Sequence, residues 1–310
     1  RCLSHFSDEK FTVLVATSGD TGSAVANGFL GVPNVDVVIL YPKGKVSHLQ
    51  EQQLTTLGQN ITALEVEGTF DDCQRMVKSA FLDKDLNQKM KLTSANSINI
   101  ARLIPQSFYY FWAMAQLHDH DRVTFSVPSG NYGNLTAGLL AKAMGLRVSG
   151  FVASSNINDV VPKYLKDGHF DPRPSKQTIS NAMDVGDPSN FGRMTEIYGQ
   201  SWDQITNDIS GYSFTDAQTK SIMKEVHQNF GYVLDPHGAV GYLGLKVQLE
   251  KTGGTGVFLE TAHPAKFRDT VNEVIGEIEI PERLLTYLEK EKKSHLIKNE
   301  FNELKNYLMD

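Results

Sequence analysis

The stretch Ser126-Val127-Pro128-Ser129-Gly130-Asn131-Tyr132-Gly133-Asn134-Leu135-Thr136-Ala137-Gly138-Leu139-Leu140 decides how this chain is read. Its first residues complete an apolar run, 123–127, with the composition of a buried strand. Its last residues open a helix predicted over 135–144. Gly130 and Gly133 can take positive φ and let backbone approach closely. Successive N–H groups and the helix N-terminus can then cradle an anion, with Asn131 and Asn134 as further amide donors. The spacing is not that of a Walker A loop, because no Lys-Ser/Thr pair follows, and it is not a GxGxxG dinucleotide fingerprint. A plain tight turn between strand and helix accounts for the same residues, so both readings stand at this point.

A second loop of the same kind lies upstream. Residues 11–16 read as a buried strand, Thr17-Ser18-Gly19-Asp20-Thr21-Gly22 breaks it, and 23–29 read as a helix. The loop's hydroxyls and amides suit a carboxylate or phosphate, although Asp20 repels an anion unless it points elsewhere. Further strands are predicted over 35–41, 61–66, 148–153 and 256–259. Helices are predicted over 45–57, from Thr69 onward, over 97–117 (with Pro105 near its start), 215–230 and 237–249. Strand, glycine turn and helix in repetition specify an α/β fold with largely parallel sheets. Two such loops suggest one ligand in a crevice outside the strand ends. Residues 166–190, rich in Pro, Gly, Asp and Asn, read as a long surface excursion. The charged stretch 283–310 reads as a solvated helical cover.

At 310 residues the chain has room for two domains or one large one. A net charge of −6, with no Lys/Arg tract, argues against a nucleic-acid partner. No apolar run reaches the roughly 18 residues of a membrane span. Cys2 and Cys73 make neither a disulfide framework nor a metal cluster, and a reducing compartment is the default. The chain starts at Arg1 rather than at Met.

Other polar clusters sit near predicted strand ends. Lys43, Lys45 and Ser47 follow the second strand and suit a phosphate, or simply a solvated turn. Asn99 and Arg102 lie three apart on one helix face, and Arg102 can fork a phosphate. Asn96 or Ser97 can cap that helix. In Leu259-Glu260-Thr261-Ala262-His263-Pro264-Ala265-Lys266-Phe267, Thr261 can offer a hydroxyl to a ring nitrogen. His263 reads equally as ligand, base or cap. No Ser-His-Asp arrangement and no HExxH motif is present.

The motifs SGDTG, YPKGK, NSIN, PSGNYGN and TAHPAKF occur in the order seen in threonine synthases, and from about Leu14 through TAHPAKF the chain resembles that family. The resemblance implies the tryptophan-synthase-β-like fold of type II pyridoxal-phosphate enzymes, with two open α/β domains and the cofactor between them. It implies a lyase that converts O-phospho-L-homoserine and water to L-threonine and phosphate. Ser129, Gly130, Asn131, Tyr132, Gly133 and Asn134 would then hold the phosphate of pyridoxal 5′-phosphate, and Thr261 would face its pyridine nitrogen. Thr17, Ser18, Asp20 and Thr21 would lie near the substrate carboxylate. Lys43, Lys45, Ser47, Asn99 and Arg102 are candidates around the substrate phosphate. No metal, nucleic acid or membrane is implied, and the enzyme would be a cytoplasmic monomer or homodimer.

One departure from the family pattern is decisive. The family's Schiff-base lysine sits in a His-Gly-Pro-Thr-x-x-Phe-Lys-Asp segment before the first strand, and that segment does not occur in these 310 residues. Lys266 falls in a different motif and does not replace it. The expected explanation is an incomplete chain: a fragment, a cleaved chain or a shortened record. Residues 1–95 are expected to form part of a smaller domain and 96–310 the larger cofactor-binding domain with C-terminal helices. Two rival readings are another pyridoxal-phosphate lyase or dehydratase, which would have no use for the basic set, and a non-catalytic binder of the cofactor or of phosphorylated amino acids.

Overall fold

A computed structural model describes residues 9–97, 99–117 and 122–310. Arg1, Cys2 and Ile98 of the NSIN motif lie outside the described residues. Nine strands are present among those described: β1 (Phe11–Ala16), β2 (Val35–Pro42), β3 (Ile61–Glu67), β4 (Lys91–Ser94), β5 (Val123–Pro128), β6 (Gly150–Ser155), β7 (Ile209–Ser213), β8 (Thr255–Phe258) and β9 (His295–Lys298). They form two sheets in which every pairing is parallel, of order β4-β1-β2-β3-β9 and β7-β6-β5-β8. Parallel neighbours need crossover connections, and helices supply them here as the alternating sequence pattern requires.

The chain divides into two compact units. The first ends at Asn96 and takes in Glu279–Asp310 as well. Val13, Val15, Val37, Ile39 and Tyr41 point to one face of its sheet and cluster with Val25, Ala26 and Leu54 of the helices Asp20–Phe29 and His48–Thr55. The alternate residues Leu14, Val38, Leu40 and Leu64 are buried too, and helix Phe70–Leu82 packs against β1 and β2. Strands covered on both faces are near-continuously apolar, which is why these were legible. Thr69 caps that helix in a reciprocal capping box with Asp72.

The C-terminal stretch departs from expectation. Residues 279–310 do not join the larger unit as a helical cover. Instead β9 extends the first sheet beside β3, and helix Phe301–Met309 packs on helix Phe70–Leu82. Ile297 and Leu304 are the buried anchors in this charged run, and Lys305 reaches Asp83 at 2.8 Å and Asp85 at 2.6 Å. A four-residue edge strand with charged neighbours carries no period-2 signal to read.

The second unit is Ser97–Ile278. Its core is built on Tyr110, Phe125 and Phe151, with helices Leu103–Gln116 and Gly133–Ala143 packed together, and with helix Pro236–Thr252 lying against β5 and β6. The helix predicted over 97–117 starts later, as a 3₁₀ turn Ile100–Arg102 followed by the α-helix Leu103–Gln116. Pro105 falls in its first turn, where the missing N–H has no intrahelical partner to lose.

The predicted surface excursion holds over 168–177, where no residue is buried, and is corrected beyond it. Helix Val160–Asp167 ends as it begins, but Thr178, Ser180, Met183, Val185 and Asn190 are buried. Polar residues survive burial there by satisfying one another. The Asn156 amide donates to Thr178 Oγ1 at 2.8 Å and to Asp184 Oδ1 at 2.9 Å, and the Thr178 hydroxyl donates to Asp184 Oδ1 at 2.7 Å. Burial pushes Asp184 up to about 7, against the pull of these hydrogen bonds.

Candidate active site

Strand β5 ends at Pro128 and delivers the loop 129–132 to the carboxyl edge of the second sheet. The Ser129 N–H donates to Ser154 O on β6, which anchors the loop's entry. Tyr132 stands at the N-cap of helix Gly133–Ala143 in the left-handed region, φ 59°, a conformation costly for a non-glycine residue. Its ring is 2% exposed and its hydroxyl lies 2.6 Å from the Ser155 hydroxyl, so the fold over-determines the strained backbone. Tyr132 offers no side-chain cap to this helix, and only the third N–H, of Leu135, is taken by a side chain, that of Asn134. A helix N-terminus at the end of a parallel strand, with no cap from its N-cap residue, suits a phosphate, which can take the earlier N–H groups and sits at the positive end of the dipole.

The loop's two asparagines act on the loop itself. Asn134 donates to Pro128 O at 2.8 Å, and its Oδ1 accepts from Ser129 Oγ at 2.8 Å and from Leu135 N at 2.9 Å. The Asn131 amide donates to Ser97 Oγ at 3.1 Å, and its Oδ1 accepts from Ser189 N at 2.6 Å. Asn190 donates to both Ser97 Oγ and Asn131 O, at 2.9 and 3.0 Å, and Arg193 donates to Ser97 O at 2.5 Å. No spacing in the sequence links Ser97, Asn190 and Arg193 to the loop. Ser97 is therefore a partner of the loop, not a helix cap.

Thr261 lies on the same edge. Leu259 N donates to Ser126 O at 3.0 Å, so the chain leaves β8 beside the point where β5 becomes the phosphate-type loop. Thr261 is exposed. His263 resolves as a cap: its Nδ1 accepts from Ala265 N at 3.1 Å at the start of the 3₁₀ turn Pro264–Phe267. Asn99 caps the turn Ile100–Arg102, with Oδ1 accepting from Ala101 N at 3.1 Å. Arg102 is half-buried, and burial lowers its proton affinity without discharging it. It lines a groove of about 470 Å³ with Pro105, Gln106, Phe108, Tyr109 and Trp112, separate from the 129–134 loop.

In the first unit, Thr17 is buried and its Oγ1 accepts from Gly19 N at 2.9 Å and Gly22 N at 2.8 Å. Gly19 has φ 135°, and a Cβ there would lie 2.5 Å from the Gln50 side chain, so glycine is required for both reasons. Gln50 in turn forms a capping box with Ser47. Asn96 clamps the end of β1, accepting from Ala16 N at 2.8 Å and donating to Ala16 O at 2.5 Å. Ser18, Asp20 and Thr21 are half-buried at the mouth of this loop, and Lys43 is exposed beside Glu67 at 3.4 Å. Lys45 follows at the half-buried end of the same turn. Thr17→Val keeps the shape but leaves two N–H groups without their acceptor, so a loss of about 2–4 kcal/mol is expected in urea denaturation. Thr17→Ser should recover most of it; equal stability of all three proteins would show that the hydroxyl does not organise the loop.

Comparison with known proteins is unambiguous at the family level. Residues 3–259 match the family described as pyridoxal-phosphate dependent enzyme, and residues 238–308 match threonine synthase, C-terminal. The chain is 49% identical over 306 residues to threonine synthase of Haemophilus influenzae, covering 97% of this chain and 71% of that protein. It is 46% identical to the Escherichia coli K12 protein, over 99% of this chain and 72% of that one. The crystal structure of threonine synthase from Escherichia coli superimposes with a TM-score of 0.94, over 99% of this chain and 72% of that one. The pyridoxal-phosphate-bound threonine synthase of Brucella melitensis superimposes with 0.83 at 35% identity, over 99% of this chain and 73% of that one.

Proposed function

The chain belongs to the threonine synthase family of pyridoxal-phosphate-dependent enzymes, and we propose that it serves the conversion of O-phospho-L-homoserine and water to L-threonine and phosphate. The observation that carries the reading is the N-terminus of helix Gly133–Ala143, entered through the strained Tyr132, which gives it no side-chain cap, and lying beside the exit of β8 that carries Thr261. These residues fit the cofactor. Gly130 to Asn134 would hold its phosphate through backbone N–H groups, with Ser129, Asn131 and Asn134 fixing the loop's shape. Thr261 would meet the ring nitrogen with a hydroxyl, a partner that leaves the nitrogen uncharged.

When bound, pyridoxal phosphate supplies an electron sink that eases proton removal beside an amino group. This chain's own residues bind and orient. The Thr17–Gly22 turn, stiffened by Thr17, would present Ser18, Asp20 and Thr21 toward the substrate carboxylate. Lys43, Lys45, Ser47, Asn99 and Arg102 are proposed around the substrate phosphate; their charge and hydrogen-bonding capacity support that, and Asn99 and Arg102 follow closely on Ser97, which holds Asn131. No lysine in these 310 residues is assigned the proton-moving role. The free thiol of Cys73 fits the proposed cytoplasmic compartment. Whether the protein is a monomer or a homodimer is read from its mass in solution.

The test, made on the chain joined to the family's Schiff-base lysine segment, is cofactor-dependent release of inorganic phosphate from O-phospho-L-homoserine with matching formation of L-threonine. Phosphate release that ignores added pyridoxal phosphate would end this reading. Arg102→Ala is expected to raise KM for the phosphorylated substrate by about 10- to 100-fold, the worth of one charge-assisted hydrogen bond, with cofactor affinity unchanged. Unchanged steady-state constants would remove Arg102 from the phosphate site.

A further inference from the structure

We propose that a buried relay, Glu260 to Asp235 to His237 to Ala182, is a positioning device that holds the backbone packed over Gly130; this rests on the reading of 129–134 as the cofactor-phosphate loop. Asp235 is 0% exposed and His237 3%. Asp235 caps helix Pro236–Thr252, accepting from His237 N at 2.8 Å and Gly238 N at 3.2 Å. The same carboxylate lies 2.6 Å from His237 Nδ1. An ionised carboxylate only accepts, so Nδ1 carries the hydrogen. Nε2 then holds a lone pair, and Ala182 N donates to it at 3.2 Å. The imidazole is thereby fixed as one neutral tautomer, donor at one end and acceptor at the other. The Phe267 ring, of the TAHPAKF motif, braces it at 4.7 Å between centroids.

Ala182 belongs to the 3₁₀ turn Asn181–Met183, which closes over the phosphate loop. A Cβ on Gly130 would lie 2.8 Å from Ala182 O and 2.6 Å from Met183 Cα. The backbone that His237 holds is therefore the backbone that Gly130 touches.

At the far end, Glu260 Oε1 accepts from Asp235 N at 3.2 Å, while Oε2 is buried without a hydrogen-bond partner. Oε2 lies against the start of the helix, where a Cβ on Gly238 would collide with it. Burial, then the charge of Asp235, pushes Glu260 up to about 8. Tyr232 faces the same two carboxyls, its own proton affinity raised by burial and then by them, and Asp184 faces His237. The folded state holds the Glu260 proton above the ordinary carboxyl range. Its stabilising contribution is complete below that range and is lost as pH rises through about 8, when a second negative charge meets Asp235.

The experiment is calorimetric titration with pyridoxamine 5′-phosphate and with pyridoxamine, neither of which needs a covalent bond to lysine. At pH 7 to 9 the phosphate stays a dianion, so the ratio of the two affinities reports the grip of the loop. The wild type should lose that ratio by several-fold between pH 7 and 9. Glu260→Gln, which keeps the carbonyl that accepts from Asp235 N and cannot ionise, should match the wild type at pH 7 and be flat to pH 9. His237→Ala should lower the ratio about 10-fold at pH 7. A wild-type pH profile retained in Glu260→Gln overturns the relay, as does a folded His237→Ala with the wild-type ratio. Should His237→Ala not fold, the Glu260→Gln profile decides alone. A wild-type protein that binds both compounds equally overturns the phosphate-loop reading itself, whereas preference for the phosphate with unaltered variants overturns only the relay.

Discussion

Gly130→Ala is expected to weaken binding of pyridoxal 5′-phosphate by at least about 100-fold, because overpacking at a site closed by main chain costs about 1–3 kcal/mol and misaligned donors lose more. The added methyl meets Met183 Cα at 2.6 Å, Ala182 O at 2.8 Å and Val185 Cγ2 at 3.0 Å. Two of those three atoms are backbone, so no rotamer change relieves the contact. The loop must move away from the 182–183 turn, and the N–H groups aimed at the phosphate move with it. Gly133→Ala makes the contrast. Its methyl meets side-chain atoms alone, Ser97 Cβ at 3.0 Å, Ser97 Oγ at 3.4 Å and Asn190 Nδ2 at 3.5 Å, the last two at ordinary contact. A smaller effect is expected there, of the order of 10-fold. Equilibrium dialysis with pyridoxal 5′-phosphate on both variants tests the pair. Gly130→Ala binding like the wild type would mean that the loop is not shaped by the turn above it.

What the sequence disclosed follows from the physics of each segment. β1, β2, β3, β5 and β6 are covered on both sides and are apolar almost throughout, so they stand out as runs. The glycine loops stand out because strand and helix flank them. β4, β7 and β9 are short, and they lie at sheet edges. β7 carries Gly211 at its centre and β9 sits among lysines and glutamates, so neither has a pattern to find. Residues 178–190 misled for a different reason. Polar composition signals solvent only when polar groups have no internal partners, and here Asn156, Thr178 and Asp184 supply them to one another. In the site, the residues that would touch phosphate and ring were legible as motifs. Ser97, Asn190, Arg193, Asp235, His237 and Glu260 were not. Asp235-Pro236 does carry the signature of a helix start, a capping acid followed by proline at the first position, but nothing in it says that the cap also holds a histidine.

The dependence of the site on the core beneath it leads to the second large effect. Tyr110→Ala should destabilise the protein by about 3–5 kcal/mol, the range for removing a buried aromatic ring and leaving its cavity. Tyr110 is 1% exposed and packs edge-on against Phe125 at 5.1 Å and Phe151 at 6.0 Å between centroids. Those rings lie on β5 and β6, the strands that deliver the loop 129–132 and its partner Ser155. The Tyr110 hydroxyl donates to Asn134 O at 2.6 Å, tying helix Leu103–Gln116 to the first turn of helix Gly133–Ala143. Tyr110→Phe removes only that bond and should cost about 1 kcal/mol. In urea denaturation both variants should lower the midpoint, Tyr110→Ala several times more, with the slope unchanged. The more telling comparison is cofactor affinity in the folded proteins. Tyr110→Phe leaves the ring packing intact, so a loss of affinity in it alone would assign the loop's shape to the hydroxyl tether. A loss confined to Tyr110→Ala would assign it to the packing of β5 against β6. Affinity untouched in both would mean that the strained Tyr132 and the Ser97–Asn131–Asn190 cage suffice to hold the loop once its strand is in place.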